Sequence, residues 1–392
     1  MTQINFTLDF EKLKEELIRS NLNDVVKSTM IVVLNAYMER ERDQYMKKEA
    51  YQRDENRHDY RNGYYERNFT LNVGKVKLQV PRTRTGNFQT ELFEQYTRSD
   101  QAFILSMAEM VINGVSTRKV TKVMEQLCGE KVSKSTVSSI TQQLDPLVND
   151  WANRPLNASV YRYLFVDAMY IKVRENDKVV SKAVYIGLAV REDGTREIIG
   201  LQVAHAESKT NWSRFFEQLK SRGFQSPKLV ISDAHLGLRQ AIQEQFVGAS
   251  WQRCTVHLKR NILAKFPKKE KKEASALLRH MFDAPNVKIA RDLKDQFLTR
   301  YAEEAKYEAA LRILEEGFDD AVQFYAEPKI AHSHIKTTNV IERINEEIRR
   351  REKPIRIFPN NQSAFRLIGS LLLDTQKGYD QSRNKRYIYF QQ

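Results

Sequence analysis

The sequence predicts an α/β protein whose sheet-bearing half follows a mainly helical, basic N-terminal region. Three observations carry this. From residue 161 the apolar runs read β-β-β-α-β-α-β. Most of the chain before them has helical spacing, broken by one hairpin-like stretch. An aspartate, Asp167, stands inside the most apolar strand, YLFVDAMYIKVR (163–174). A carboxylate there has to be paired, metal-bound or protonated, because desolvating it alone is expensive.

At 392 residues the chain has room for two or three domains, each with its own core. No apolar run reaches the roughly 18 residues that would span a bilayer, so no membrane role is expected. The opening MTQINFTLDFEKLKEELIRS places acids where a secretory leader would be basic and then greasy, and only two cysteines are present, Cys128 and Cys254. Together these predict a cytoplasmic protein. Lys plus Arg total 64 against 50 acids, a net charge of +14, which points to a polyanionic partner and first of all to nucleic acid. The basic residues gather in KRNILAKFPKKEKK (259–272) and RRREKPIR (349–356), each readable as phosphate contacts or as solvated helix faces.

Residues 1–58 are predicted helical, with Leu13, Leu17, Val25, Val26, Met30, Val33, Leu34 and Tyr37 as a packing or dimerising stripe. Residues 59–98 form a basic β-hairpin region: runs at 68–73 and 75–80 flank Gly74, and Pro81 stops the second. Arg61, Arg67, Arg82 and Arg84 there either grip phosphates or keep an edge strand soluble. Residues 99–150 read as helix-turn-helix, with a helix over 117–128, a turn at Gly129, and Ser133 capping a second helix whose buried stripe is Val137, Ile140 and Leu144. Lys134, Ser135, Thr136 and Ser138 are then presented to a major groove. The stretch 144–160, with Pro146 and Pro155, is the candidate linker.

In the C-terminal half, residues 161–174, 178–190 and 196–206 are three consecutive strands and imply an antiparallel meander. A helix follows over 209–224, with Trp212, Phe215, Phe216 and Leu219 on one side and Gly223 at its end. Trp212 is read as core rather than as a base-stacking wedge. Strand four is 228–233, a helix spans 235–246, and strand five is 250–257. A charged helical stretch, 258–335, separates this first part of the core (160–257) from a last segment, 336–392, which opens on a long helix capped by Thr337 and Thr338 and ends in a basic tail.

That element order is the ribonuclease-H-like arrangement, in which acids from strand one, the end of strand four and a late helix converge on two divalent cations. Asp167, Asp233 and Glu342 occupy those three slots. Mg²⁺ or Mn²⁺ prefers carboxylate oxygens, and two ions about 3.5–4 Å apart serve in-line displacement at phosphorus. Taken alone, Asp233 also reads as a helix N-cap, and the residues leave Glu342 in competition with Glu346 and Glu347. Arg349 lies two turns past Glu342 on nearly the same helix face and, with Arg350, is a candidate for a terminal phosphate. Cys254 and His257 supply two zinc-type ligands, which do not make a site; His235 is either a neighbour of Asp233 or a plain helix-start histidine.

The blocks YRNGYYER with VPRTRTGNF, GVSTRKV with VSKSTVS, VDAMYIKVRE, SKTNWSRFFEQLKSRGF, ISDAHLGLRQAI, WQRCTVHLKRN and TTNVIERINEEIRRR, in this order, resemble the Mutator-type transposases of bacterial insertion sequences. The resemblance covers nearly the whole chain. It implies Asp167, Asp233 and Glu342 as a DDE triad binding two Mg²⁺ or Mn²⁺ ions, and so chooses Glu342 over Glu346. It further implies cleavage at element ends and strand transfer without a covalent enzyme intermediate, leaning towards a circular intermediate, and it marks Cys254 and His257 as a C-x-x-H signature that shapes the site. Double-stranded DNA (terminal inverted repeats and target) is the implied partner, a homodimer or larger assembly is expected on it, and the protein would be nucleoid-associated when bound. Two rival readings are a catalytically inert transposase-derived repressor, disfavoured by the intact acids, and a nuclease relative acting on RNA, which would leave the helix-turn-helix unused.

Overall fold

A computed structural model of the chain describes residues 22–46, 59–71, 74–93, 101–128 and 132–390. The predicted stripe positions Leu13 and Leu17, residues 47–58 of the predicted N-terminal helical segment, and the Gly129 turn lie outside them. The chain divides into two compact units, Met1–Gln143 and Leu144–Gln392.

In the first unit, helix α1 (Leu22–Tyr45) packs on an antiparallel hairpin of β1 (Arg61–Leu71) and β2 (Gly74–Thr83). Strand β2 alternates as a half-buried strand should: Val76, Leu78 and Val80 point inward while Lys75, Lys77 and Gln79 face solvent. Against that inner face lie Met30, Ile31, Leu34 and Met38 of α1, with Phe69 and Phe93 closing the cluster. The fully buried side chains among them, Met38 and Leu78, contribute roughly 1.5–3 kcal/mol each through burial. The helix therefore works as a packing element, with Met38 at its centre, whereas Val26 of the predicted stripe is exposed. Pro81 does not stop β2; it pairs with Tyr64 inside the strand, because in a two-stranded ribbon both strands are edges and a missing N–H need not cost a ladder bond.

Three further helices of this unit lie among the described residues: α2 (Gln101–Ile112), α3 (Thr117–Cys128) and α4 (Lys134–Gln142). Ser133 caps α4, its Oγ accepting from the Thr136 N–H at 3.0 Å. Val120 and Met124 of α3 and Val137, Ile140 and Thr141 of α4 are buried. Leu144 is not part of that stripe, since α4 ends before it.

The second unit opens with a helix where a linker was predicted, α5 (Asp145–Asn153). Pro146 sits in its first turn, where the missing N–H has no helical acceptor anyway, so the proline starts this helix rather than preventing it. Arg154, just past its end, donates to Glu197 at 2.7 Å and to the Ile198 carbonyl at 2.7 Å, tying the helix to the sheet.

The sheet comprises β3 (Tyr161–Glu175), β4 (Lys178–Arg191), β5 (Arg196–Ala204), β6 (Leu229–Ser232) and β7 (Ser250–Arg253), in the spatial order β5-β4-β3-β6-β7. Strands β3, β4 and β5 form an antiparallel meander, while β6 and β7 join in parallel. The β3–β4 turn takes positive φ at both Asn176 and Asp177, the geometry that matches strand twist. Between the parallel strands run α6 (Lys209–Ser221), ended by Gly223 at φ +94°, and α7 (Leu236–Gln245). Trp212, Phe215, Phe216 and Leu219 of α6 pack on Leu164, Val166, Tyr185 and Ile199, so Trp212 is core. Gly200 permits that approach, for a Cβ there would sit 2.5 Å from the Phe215 ring. The opposite face of β3, carrying Tyr163, Phe165 and Asp167, meets α13 (Asn339–Ile355) and the C-terminal segment.

Strand β7 stops at Arg253, not at residue 257. Cys254 is the N-cap residue of α8 (Thr255–Ala264), and the Thr255 N–H turns to the Lys336 carbonyl at 3.0 Å instead of continuing a ladder. Helices α8, α9 (Lys271–Phe282), α10 (Val287–Tyr301) and α11 (Glu308–Ala321) then build a core of their own around Leu258, Phe266, Phe282, Phe297 and Phe318. The four-residue α12 (His332–Ile335) leads to α13, and α14 (Asn361–Gln381) packs on β5. Among the described residues no helix is long and apolar enough to cross a membrane.

Candidate active site

Strands β3 and β6 pair in parallel, with Phe165 opposite Ile231. Two residues further along each chain stand Asp167, still within β3, and Asp233, just past the end of β6, close enough that the Asp233 charge acts on Asp167. Sheet register alone joins residues far apart in sequence. The Asp167 Oδ1 accepts from the Ala168 N–H at 2.9 Å, and the Asp233 Oδ1 from the Ala234 N–H at 2.7 Å.

The third acid comes from α13, whose buried face is Val340, Ile341, Ile344, Asn345 and Ile348. Glu342 sits in its first turn, partly exposed at the edge of this face, while Glu346 and Glu347 are exposed. Asn345 donates to the Asp167 Oδ2 at 2.7 Å. One imidazole links the remaining acids: His257 Nδ1 is 3.9 Å from the Asp233 Oδ1 and Nε2 is 3.7 Å from the Glu342 Oε1. Thr338 occupies the N-cap position of α13 without a side-chain cap bond; its hydroxyl is 2.9 Å from the Glu342 Oε1 and 3.2 Å from the Cys254 Sγ. The Thr338 hydroxyl is the donor in both contacts, and its single proton serves the carboxylate or the sulfur at any one time, while the Thr338 N–H also donates to the Cys254 Sγ at 3.4 Å. The predicted capping role of Thr338 is thus replaced by one in holding Glu342.

The electrostatics follow from this crowding. Burial pushes the Asp167 carboxyl up to about 6, with the charges of Asp233 and Glu207 adding and the Ala168 N–H and His257 opposing. His257 is raised to about 9, chiefly by the Cys254 sulfur beside it and then by the surrounding thiol and carboxylate charges, against its burial. Burial would raise the Cys254 thiol, but hydrogen bonds with His257 and Thr338 outweigh it and pull the thiol below its ordinary range. Acids gathered around a cation-like imidazole form a place where positive charge is stabilised. His235 does not join them: it caps α7 by accepting from the Leu238 N–H at 3.3 Å.

The predicted polyanion contacts fall into two kinds. Lys134, Ser135, Thr136 and Ser138 are all exposed at the start of α4, although the Ser135 and Thr136 hydroxyls bond the Ser133 hydroxyl at 2.6 and 2.8 Å. On the hairpin, Arg61 is ion-paired with Asp43 at 2.6 Å, Arg82 lies over the Tyr65 ring at 4.7 Å, Arg84 over Tyr60 at 6.0 Å and Arg67 over Phe93 at 4.0 Å. On α13, Arg349 is exposed and Arg350 pairs with Glu347 at 3.0 Å. Sequence reading missed Asn345 and the Thr338 contact. The signal for Asn345 was its place one turn from Glu342 on the same face.

The family described as "Transposase, Mutator family" matches residues 1–382. The chain is 47% identical, over the full length of both proteins, to the transposase for insertion sequence element IS256 in transposon Tn4001 of Staphylococcus aureus. It is 39% identical to the transposase for element ISRM5 of Rhizobium meliloti, over 94% of this chain and 90% of that one. Against the transposase for element IS1081 of Mycobacterium tuberculosis the identity is 32%, over 97% and 91%. With full-length agreement of this kind, the chain belongs to the Mutator family of transposases.

Proposed function

We propose that this transposase binds the terminal inverted repeats of its element through residues 1–150 and cuts and joins DNA with Asp167, Asp233 and Glu342 as a DDE triad. The observation that carries the proposal is the Phe165–Ile231 register, two residues beyond which each of the neighbouring parallel strands leads to an aspartate, together with His257 at 3.9 Å from Asp233 and 3.7 Å from Glu342. The strand order β5-β4-β3-β6-β7 supports a ribonuclease-H-like core (160–257 and 336–392) interrupted by the helical insertion 258–335.

The three acids offer carboxylate oxygens, the hard donors that Mg²⁺ or Mn²⁺ takes, and so they fit a pair of such ions. Bound there, the ions would acidify the attacking water and stabilise both attacking and departing oxygens of an in-line displacement. The chain's own part is to hold the acids. The Asn345 amide and the Ala168 N–H fix both oxygens of Asp167, the Ala234 N–H fixes one of Asp233, and the Thr338 hydroxyl fixes one of Glu342. In the first step the oxygen of water bonds to phosphorus at the element's end, the P–O3′ bond breaks, and the departing 3′ oxygen gains the proton that water loses. The resulting 3′-OH then bonds to a target phosphorus, and the displaced target 3′ oxygen takes up its proton. Because two element ends must be processed together, a homodimer or larger assembly on DNA belongs to the proposal.

The test is to incubate purified protein with end-labelled element termini and Mg²⁺, beside an Asp167→Ala variant, following binding and cleavage separately. The proposal expects both proteins to bind and only the unsubstituted one to cut. Cleavage that survives the substitution overturns it, and binding without cleavage by either protein favours a repressor.

A further inference from the structure

The sequence offers Cys254 and His257 as two ligands short of a metal site; the fold brings up a third. The Cys254 sulfur, a His257 ring nitrogen and a Glu342 carboxylate oxygen all lie within 4.8 Å of one another. Cys254 is fully buried, while the side chains of His257 and Glu342 keep 18% and 31% of their surface open, so an ion can enter from one side. The His257 Nδ1 is buried with no hydrogen-bond partner. The Thr338 hydroxyl lies between sulfur and carboxylate, at 3.2 and 2.9 Å, the place an ion bridging them would take over.

We propose that Cys254, His257 and Glu342 form a binding site for a zinc-class transition metal, and that filling it withdraws Glu342 from the centre on Asp167 and Asp233. A sulfur, a nitrogen and an oxygen together suit a borderline cation, whereas Mg²⁺ takes oxygen alone. Donors around tetrahedral zinc stand about 3.3–3.7 Å apart, so these three must close by roughly 1 Å. The more exposed Glu342 is the group free to make that movement, and the fourth position falls to water. Since Glu342 cannot serve both arrangements, zinc acts as an inhibitor in competition with the catalytic ions. This inhibitory half rests on the catalytic reading of Glu342, whereas the metal site stands without it.

The experiment titrates the full-length protein with Co²⁺, whose thiolate charge-transfer absorption reports a Co–S bond. Expected is a saturable band that Zn²⁺ abolishes stoichiometrically, lost in Cys254→Ser and kept in Cys128→Ser. His257→Ala should weaken Co²⁺ binding by at least about 10-fold, the cost even of losing a group that merely supports a ligand. No band, or a band that survives Cys254→Ser, overturns the site. X-ray absorption at the zinc edge of the unsubstituted protein needs no variant to fold: sulfur at about 2.3 Å supports the site and its absence overturns it. In the Mg²⁺-dependent cleavage assay, Zn²⁺ inhibition relieved by excess Mg²⁺ supports the exclusion. Cleavage indifferent to bound Zn²⁺ overturns that half, and a chain that binds Co²⁺ through sulfur yet never cuts fails the catalytic reading alone.

Discussion

Asn345, one turn beyond Glu342 on α13, donates a 2.7 Å hydrogen bond to Asp167 on the central strand, 178 positions earlier in the chain. The bond ties the helix that carries the third acid to the strand that carries the first. It also fixes the direction in which the Asp167 carboxylate points.

Asn345→Ala should therefore lower single-turnover cleavage by about 10–100-fold, the usual cost of losing a group that orients a metal-binding carboxylate. Binding of uncut element ends should stay unchanged. Asn345→Asp should be worse than alanine, because it sets a second negative charge against Asp167. Equal cleavage by all three proteins would show that the contact orients nothing.

The strands of the second unit were legible because their β-branched and aromatic runs are long and closely spaced. The errors have local causes. Pro146 was read as a breaker although a helix tolerates proline in its first turn, and Thr255 and Val256 look like strand residues although the Thr255 N–H leaves the ladder for Lys336. Topological slots brought Asp167, Asp233 and Glu342 into view, but the residues that hold them did not follow. Thr338 meets Cys254 across 84 positions, and no periodicity encodes such a contact.

Glu197 supplies a pH-dependent stability that can be separated from the chemistry. Burial alone would raise its carboxyl, but the Tyr161 hydroxyl and the Arg154 and Arg191 guanidinium groups outweigh burial and hold it below its ordinary range. A depressed folded value means stability that is present above the unfolded value of about 4.3 and lost as pH falls through the folded one. Glu197→Gln should cost about 3 kcal/mol at neutral pH by urea unfolding, with the gap to the unsubstituted protein narrowing in acid. A gap that does not change with pH would rule out the charge as its source.

Trp212 is fully buried, with its ring 4.5 Å from that of Tyr185 in a T-shaped contact. Trp212→Ala should destabilise the protein by about 3–5 kcal/mol, measured by chemical denaturation. Unchanged stability with weakened DNA binding would instead favour a base-stacking role.

Lys134 is exposed at the start of α4, whereas Arg61 is already paired with Asp43. Lys134→Ala should weaken end binding and make its log-log salt dependence shallower by about one, as expected for one lost phosphate contact. Arg61→Ala should change the slope less. The reverse ranking would move the DNA-contacting face from α4 to the hairpin.

The most direct measurement compares single-turnover cleavage of a labelled element end by Asp167→Asn, Asp233→Asn, Glu342→Gln and Glu346→Gln, each shown to be folded and to bind the end. The geometry predicts that the first three lose at least about 1000-fold, a loss of some 4 kcal/mol in transition-state stabilisation, while Glu346→Gln stays near the unsubstituted rate. Near-normal cleavage by Glu342→Gln, or loss by Glu346→Gln alone, would contradict it.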